Sequence, residues 1–388
     1  MDQKDHFIAL DGMRGIAAIA VMVFHYMSDF SMLGWSRPDS LATPFKCAPL
    51  AVDFFFMLSG FVLSAAYTPG LLRDAKWGGF FRKRLLRLYP MYAIGMAFGM
   101  IALILSLHLR PVDAGPVSGW GDVAASLALS LAMVPDYIGH YGLILGSTSL
   151  EGAAFPLNPP GWTLFYELIA SLMLVALVRK SDRVLVGMVA GSLFVMLAAT
   201  PFTAIVFHQR GHTFFFSGGA RPDLWLGLSR VVTGFVTGVL LWRLRSANKL
   251  QFAPFTWRIR PVTAYTMLMA SFALPSTLKG AWPLAFLTFV GPVFLVWGAN
   301  IRFRPGLGRD ISAALGWISF PLYCVHYPVG QIAWLICNRL GLSVWIAFAS
   351  AIVLSLALGA ITARFIEEPV RRRLAGRLYH REPAVTVH

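Results

Sequence analysis

The stretch "LDGMRGIAAIAVMVFHY", residues 10–26, decides the class of protein. Ten almost wholly apolar residues separate Arg14 from His25, and this composition is typical of a helix that spans a membrane. An ionisable side chain inside a bilayer is costly, so it usually faces a cavity, a partner or a transport pathway. His25 is therefore the first residue of the chain to interpret in terms of function.

Arg14 and His25 are eleven positions apart. At about 100° per residue, eleven steps make three turns with about 20° left over, so both side chains project from one helix face. At about 1.5 Å per residue, they are about 16 Å apart along the axis. We expect Arg14 at the cytoplasmic boundary, where it suits a phosphate, and His25 beyond mid-membrane. The alternative is a hydrogen-bonded core histidine with a snorkelling arginine.

The composition of the whole chain excludes a water-soluble globular protein. Its 388 residues have a mean hydropathy of +0.65, 57% of them are hydrophobic and 13% are charged. These values predict one all-α membrane domain over residues 1–388, with no appended soluble domain. The net charge of +15 is explained by topology and lipid headgroups, and nucleic acid is not an expected partner. Neither a metal site nor a disulfide framework is predicted from the spacing of Cys47, Cys324 and Cys337.

Apolar segments of spanning length predict a bundle of ten transmembrane helices. The spans are residues 10–29, 48–68, 89–109, 162–178, 184–207, 223–243, 262–278, 282–298, 312–336 and 343–366. With the first span starting inside, the loops that return inside carry most of the Lys and Arg residues, as the positive-inside rule requires. Both termini are then cytoplasmic, including a basic tail over residues 367–388.

Residues 121–136 do not fit this count, although they are apolar. A full span there would invert every later loop and place the basic clusters outside. We therefore predict a re-entrant or surface-lying helix. The following segment, 137–161, contains no Lys or Arg and is rich in Gly and Pro, so it is predicted as an outer loop that shapes a substrate entrance.

His25 is a candidate general base. A histidine is the usual proton acceptor when a hydroxyl must become nucleophilic near neutral pH. No G-x-S-x-G elbow accompanies it, so the sequence does not indicate a Ser-His hydrolase.

A basic cluster lies in "FFRKRLLRLYPMY", residues 80–92. Arg84 and Arg87 are three positions apart, on one side of a helix if the helix extends back that far. Arginine forks suit phosphates, and four basic residues in six are more than topology requires. The alternative is an ordinary positive-inside anchor.

Two carboxylates fall in apolar segments. Asp53 lies near the outer end of the second span, where it either caps the helix or orients His25 or an acceptor. Glu167 lies about 7 Å deeper than Trp162 and is a candidate to bind an acceptor hydroxyl or to pair with a buried base. Trp162 is either a belt aromatic or an acceptor contact.

The ninth span contains "WISFPLYCVHYPV", residues 317–329. Its prolines, Pro321 and Pro328, predict a broken helix, which is tolerated where the backbone lines a cavity. Tyr323 and His326 are therefore candidate acceptor contacts. His326 is also a candidate to orient the base, and it is alternatively a core histidine.

Arg230 lies about 10 Å into the sixth span and is predicted to be a buried counter-ion or a ligand. Two small-xxx-small spacings predict close helix packing, namely Gly95/Gly99 and Gly234/Gly238.

Taken together, these motifs resemble the acyltransferase 3 family of multi-span membrane O-acyltransferases that modify bacterial polysaccharides and related acceptors. The matching pieces span residues 10–373: the Arg-x10-His of "LDGMRGIAAIAVMVFH", then "DFFFMLSGF", "RLLRLYPMY", "WTLFYE", "SFPLYCVHYPV" and "FIEEPVRR". Thr163 and Phe320 depart from the residues that are common in the family.

The resemblance implies a ten-helix bundle in the bacterial inner membrane. It also implies acyl-CoA as a cytoplasmic co-substrate, with no permanently bound cofactor, and transfer of an acyl group, usually acetyl, to a hydroxyl. Arg14 and His25 are implied to be essential, and Arg84 and Arg87 to belong to the donor site. Any acyl relay to an extracytoplasmic domain would need a separate partner.

We therefore predict an O-acyltransferase with a carbohydrate or lipid-linked glycan acceptor. Its catalytic residues are His25, Arg14 and Glu167, and the phosphates of the donor meet Arg14, Arg84 and Arg87. The predicted acceptor contacts are Asp53, Trp162, Arg230, Tyr323 and His326. The rival interpretation is a transporter of an anionic or sugar-linked substrate, because buried charges and broken helices also mark transport pathways. A third is a non-catalytic membrane scaffold.

Overall fold

The computed structural model describes residues 7–28, 45–74, 77–109, 120–136, 144–145, 148–149, 153–206, 218–219, 224–274 and 281–379. Helices dominate these residues. They are α1 (Ile8–Ser28), α2 (Leu50–Asp74), α3 (Trp77–Leu109), α4 (Trp120–Leu131), α5 (Gly161–Leu177), α6 (Asp182–Val206), α7 (Leu224–Ser246), α8 (Pro261–Ala273), α9 (Ala281–Ala285), α10 (Gly291–Asn300), α11 (Leu307–Arg339), α12 (Val344–Thr362) and α13 (Glu368–Tyr379). Two π-helical turns, Phe286–Val290 and Ala363–Glu367, join α9 to α10 and α12 to α13. A two-residue antiparallel ladder pairs β1 (Ile144–Leu145) with β2 (Thr148–Ser149).

The prediction of an all-α membrane bundle is confirmed. Each of the ten predicted spans coincides with a helix or with a pair of helices joined by a π turn. Among the described residues, seven helical segments are long and apolar enough to cross a membrane. The α5 helix has 17 residues and α8 has 13, so ten crossings remain a prediction.

The segment that was not counted as a span forms the 12-residue helix α4, which contacts α3. Its length is below the about 20 residues that cross a bilayer. The predicted outer loop, 137–161, lies partly outside the described residues. Its described end is buried, because Ala154, Phe155 and Leu157 are fully covered by the bundle. This end is therefore a packed part of the core.

Helix α11 lies at the centre and packs against α1, α3 and α12. It runs parallel to α1, since Gly15 faces Leu315 at one end and Tyr26 faces Gly330 at the other. A Cβ on Gly15 would lie 2.6 Å from the carbonyl oxygen of Leu315, so a larger residue would separate the two helices.

Both predicted glycine pairs lie at close backbone contacts, although Gly99 faces the non-helical residue Leu157. A Cβ on Gly238 of α7 would lie 2.0 Å from the carbonyl oxygen of Met57 in α2. A Cβ on Gly95 of α3 would lie 2.4 Å from the carbonyl oxygen of Cys324 in α11. The prediction of close helix packing is confirmed for Gly95, Gly234 and Gly238, whereas Gly99 packs against the segment that precedes α5.

The predicted break at the prolines of α11 is wrong, because the helix is continuous from Leu307 to Arg339. Pro328 has no N–H, so it leaves the carbonyl of Cys324 without its helical donor. The side chain of Asn158 donates to this carbonyl at 2.8 Å. A segment distant in sequence thus satisfies the backbone group that the proline leaves.

Candidate functional site

A cavity of about 110 Å³ lies between five helices, α1, α2, α3, α5 and α11. Helix α2 lines it over three turns, from Val52 to Leu63, which is about 16 Å along the helix axis. The other lining residues are Arg14, Arg84, Arg87, Leu88, Thr163, Leu164, Glu167, Ser319, Phe320 and Tyr323. The structure therefore brings three predicted donor residues and two further predicted site residues into one cavity.

Arg14 is held at the cavity by α11 and by Asp11 of its own helix. Its Nε donates to the hydroxyl of Ser319 at 2.9 Å, and its Nη2 donates to the carboxylate of Asp11 at 2.8 Å and to the carbonyl of Gly316 at 3.3 Å. Ser319 is buried and itself donates to Gly316. Nη1 of Arg14 makes no hydrogen bond to the part of the chain that the structure describes, so one edge of the fork is available to a ligand.

Arg84 is almost fully buried and lies on α3, which begins at Trp77. Since the helix extends back beyond Arg84, Arg84 and Arg87 lie on the same side of it, as predicted. Nη2 of Arg84 donates to Glu167 at 2.5 Å, and Nε donates to Ser171 at 3.2 Å.

Arg87 lies one turn further and interacts electrostatically with Glu367. Glu367 is buried at the end of a π turn. Its carboxylate also has a favourable electrostatic interaction with Arg14. The sequence motif "FIEEPVRR" contains this residue, but sequence reasoning gave it no role. The cavity end is therefore a network of arginines and carboxylates rather than an isolated positive patch.

His25 and His326 lie beside each other, on α1 and α11. Their ring centroids are 5.3 Å apart, and the ring of Tyr327 is 5.2 Å from that of His25. His326 is fully buried, and its Nδ1 is 2.8 Å from the carbonyl oxygen of Tyr323. The prediction that Arg14 and His25 share a face is confirmed, because both contact α11.

Neither histidine lines the cavity. Tyr323 does line it and is also next to His326. The Tyr323 ring is 5.6 Å from His326 and 5.5 Å from Phe55, and its hydroxyl is hydrogen-bonded to Thr163 at 2.9 Å. The ring of Tyr323 therefore lies between the arginine-lined cavity and His326, which in turn contacts His25.

Asp53 and Arg230 form a buried ion pair that the sequence did not predict as a pair. Nε and Nη2 of Arg230 donate to the two carboxylate oxygens of Asp53 at 3.0 and 2.8 Å. Arg230 is 2% exposed and Asp53 is 0% exposed. The guanidinium carbon lies 5.3 Å from the ring of Trp162, a cation–π contact. The counter-ion alternative for Arg230 is thus observed, and the pair joins α2, α7 and α5.

Glu167 contacts Arg84 and not a histidine in the described structure. The carboxylate therefore belongs to the arginine end of the cavity. The ion pair of Arg84 in α3 with Glu167 in α5 could not be predicted from the sequence of either helix alone.

The helical bundle and its internal cavity define an integral membrane protein with a polar site between its helices. Comparison with known proteins assigns the class, because a family model described as "Acyltransferase domain" matches residues 7–364. The chain belongs to this family and is an O-acyltransferase.

Two relatives are consistent with this assignment. The chain is 25% identical over 389 residues to "Acyltransferase MdmB" of Streptomyces mycarofaciens, covering 95% of this chain and 92% of the relative. It is 35% identical over 173 residues to "Protein 2 in picA locus" of Rhizobium radiobacter, covering 43% of this chain and 80% of the relative. No solved structure matches the chain.

Proposed function

We propose that this O-acyltransferase moves an acyl group, in the simplest case acetyl, from acyl-CoA to a hydroxyl of a carbohydrate acceptor. The single observation that carries the proposal is the cavity that joins Arg14, Arg84 and Arg87 to an aromatic wall beside two histidines. The phosphorylated end of CoA is anionic, and its pantetheine arm is long and narrow. The arginine end of the cavity suits the anionic phosphates, and the long shape of the cavity suits the pantetheine arm.

The donor site is proposed at the arginine end. The Nη1 groups of Arg14 and Arg84 make no hydrogen bond to described residues, while their other nitrogens are fixed by Ser319, Asp11, Ser171 and Glu167. Arginine side chains whose guanidinium groups are already held in this way lose little rotamer entropy when they bind a phosphate. Glu167 then acts by positioning Arg84.

The chemical step is proposed at His25. Its ring takes the proton of the acceptor hydroxyl, and the resulting oxygen attacks the thioester carbonyl. The C–S bond breaks, and the CoA thiolate leaves and takes up a proton. With the thioester at the Tyr323 end of the cavity, the carbonyl is one aromatic ring away from the histidines.

The orientation in the membrane is proposed from charge. The chain segments at the carboxyl ends of α5, α7 and α10 lie at one face, because Arg243 donates to the carbonyl of Lys180 and Arg245 donates to Asn300. The positive-inside rule places this face in the cytoplasm, where acyl-CoA is made. A glycan acceptor would then approach from the opposite side of a bacterial inner membrane.

Acetyl transfer can be measured with purified protein in liposomes, using acetyl-CoA labelled in the acetyl group and a crude glycan fraction. Wild-type protein should label the glycan, and His25→Ala should lose at least about 100-fold of the rate. Arg183→Ala, which removes an exposed charge outside the cavity, should leave the rate unchanged. Movement of a glycan across the membrane by His25→Ala without acyl-CoA would contradict the proposal and favour transport.

A further inference from the structure

His326 carries a buried nitrogen that the proposed mechanism has not used. The side chain is 0% exposed, and its Nε2 has no hydrogen-bond partner among the described residues. A buried polar atom without a partner costs free energy, so its presence calls for a role.

The protonation of this ring follows from its other nitrogen. Nδ1 lies 2.8 Å from the carbonyl oxygen of Tyr323 and 3.3 Å from that of Leu322. Carbonyl oxygens only accept, so Nδ1 must carry a proton and donate. In the neutral ring, Nε2 is therefore unprotonated and offers a lone pair.

His25 lies within reach of that lone pair. Ring nitrogens lie about 1.1 Å from the ring centroid and an N–H···N bond spans about 3 Å, so at the observed centroid distance of 5.3 Å the two rings can form a hydrogen bond after a rotation of the His25 ring. In the described ring orientations this bond is not made. The backbone around His326 is also fixed, because the hydroxyl of Tyr26 donates to its carbonyl at 2.6 Å. Among the residues that the structure describes, the titratable side chains with ring contacts to His326 are His25 and Tyr26 from α1, and Tyr323 from α11.

We infer that His326 is a positioning residue for His25, accepting a hydrogen bond at Nε2 from a ring N–H of His25. This bond would leave the other nitrogen of His25 unprotonated and aimed at the acceptor hydroxyl. It would also stabilise the imidazolium that forms when His25 takes the proton. The inference rests on the proposed function, since it assigns a helper to the same base.

Two substitutions separate this role from packing. His326→Gln keeps an oxygen that can accept, whereas His326→Phe fills the space without an acceptor. The Phe variant should lower kcat about 10- to 100-fold without changing KM for acetyl-CoA or for the glycan, and the Gln variant should recover most of that loss. Gln331→Leu, which removes another buried polar group of α11, is the matched control and should keep wild-type kcat.

Thermal unfolding in detergent, with His326→Leu as a second apolar variant, checks that the proteins fold. Wild-type kcat in either apolar variant would overturn the inference, and so would equal losses in the Gln and Phe variants. If the wild-type protein binds no acetyl-CoA and transfers no acetyl group, the proposed function fails and this inference fails with it. Normal wild-type transfer with an unaffected Phe variant contradicts the inference alone.

Discussion

At the scale of single residues, the site depends on how each arginine is held. Arg14 projects from α1 and pairs with Asp11 of the same helix, but two further groups that fix it are on α11, where Ser319 accepts from Nε and Gly316 accepts from Nη2. Helical periodicity was sufficient to predict that Arg14 and His25 share a face. It could not predict Ser319 as the partner, because that contact joins residues 305 positions apart.

Replacing Ser319 by Ala should loosen Arg14. The change removes one hydrogen bond from a charged donor, a contribution of about 1.5–3 kcal/mol, so we expect about a 10-fold or larger rise in KM for acyl-CoA with little change in kcat. Steady-state kinetics at varied acetyl-CoA checks this. Ser312→Ala removes a hydroxyl of the same helix that bonds Tyr265 rather than Arg14, and it should leave KM unchanged. An equal rise in both variants would mean that the effect is general to α11.

At the scale of elements, the ion pair of Asp53 and Arg230 fastens α2 to α7 where Gly238 and Met57 bring the two helices together. Both residues were predicted as acceptor contacts, with capping or a counter-ion role as alternatives. Burial of both charges with two hydrogen bonds gives the pair a structural role without any ligand.

Single and double substitutions distinguish these roles. Arg230→Met leaves the Asp53 carboxylate buried without its counter-ion, which should destabilise the protein by about 3–5 kcal/mol. Combining it with Asp53→Leu removes both charges, so the double variant should regain most of the stability and retain acyl transfer. Unfolding in detergent and the transfer assay measure the two quantities. A stable double variant without transfer would instead support acceptor binding by these residues.

At the scale of the whole molecule, the positions of the helices could be predicted because a bilayer fixes the length and polarity of a span. Pairings between helices could not, since Glu167 with Arg84 and Asp53 with Arg230 depend on tertiary packing. The predicted break in α11 was wrong for the same reason, because the donor that satisfies Cys324 comes from Asn158, outside the helix. Tyr323 was found by its place in a polar motif, but its position between cavity and histidines required the fold.

The orientation of the bundle is open to a direct test. The three native cysteines, Cys47, Cys324 and Cys337, are buried, so background labelling by a thiol reagent should be low. A membrane-impermeant maleimide should label Leu340→Cys, in the turn between α11 and α12, in intact cells. Lys180→Cys, after α5, should react only after the cells are permeabilised. The reverse pattern would contradict a cytoplasmic basic face.

The central claim is that the arginine-lined cavity holds the acyl-CoA donor. The most direct measurement is equilibrium binding of acetyl-CoA to purified protein, compared among the wild type, Arg14→Ala, Arg87→Ala and Arg183→Ala. The account predicts that the two cavity variants weaken binding by at least about 10-fold, because each removes a charged contact to phosphate, while Arg183→Ala binds as the wild type does. Unchanged binding in both cavity variants, or no binding by the wild-type protein, would contradict it.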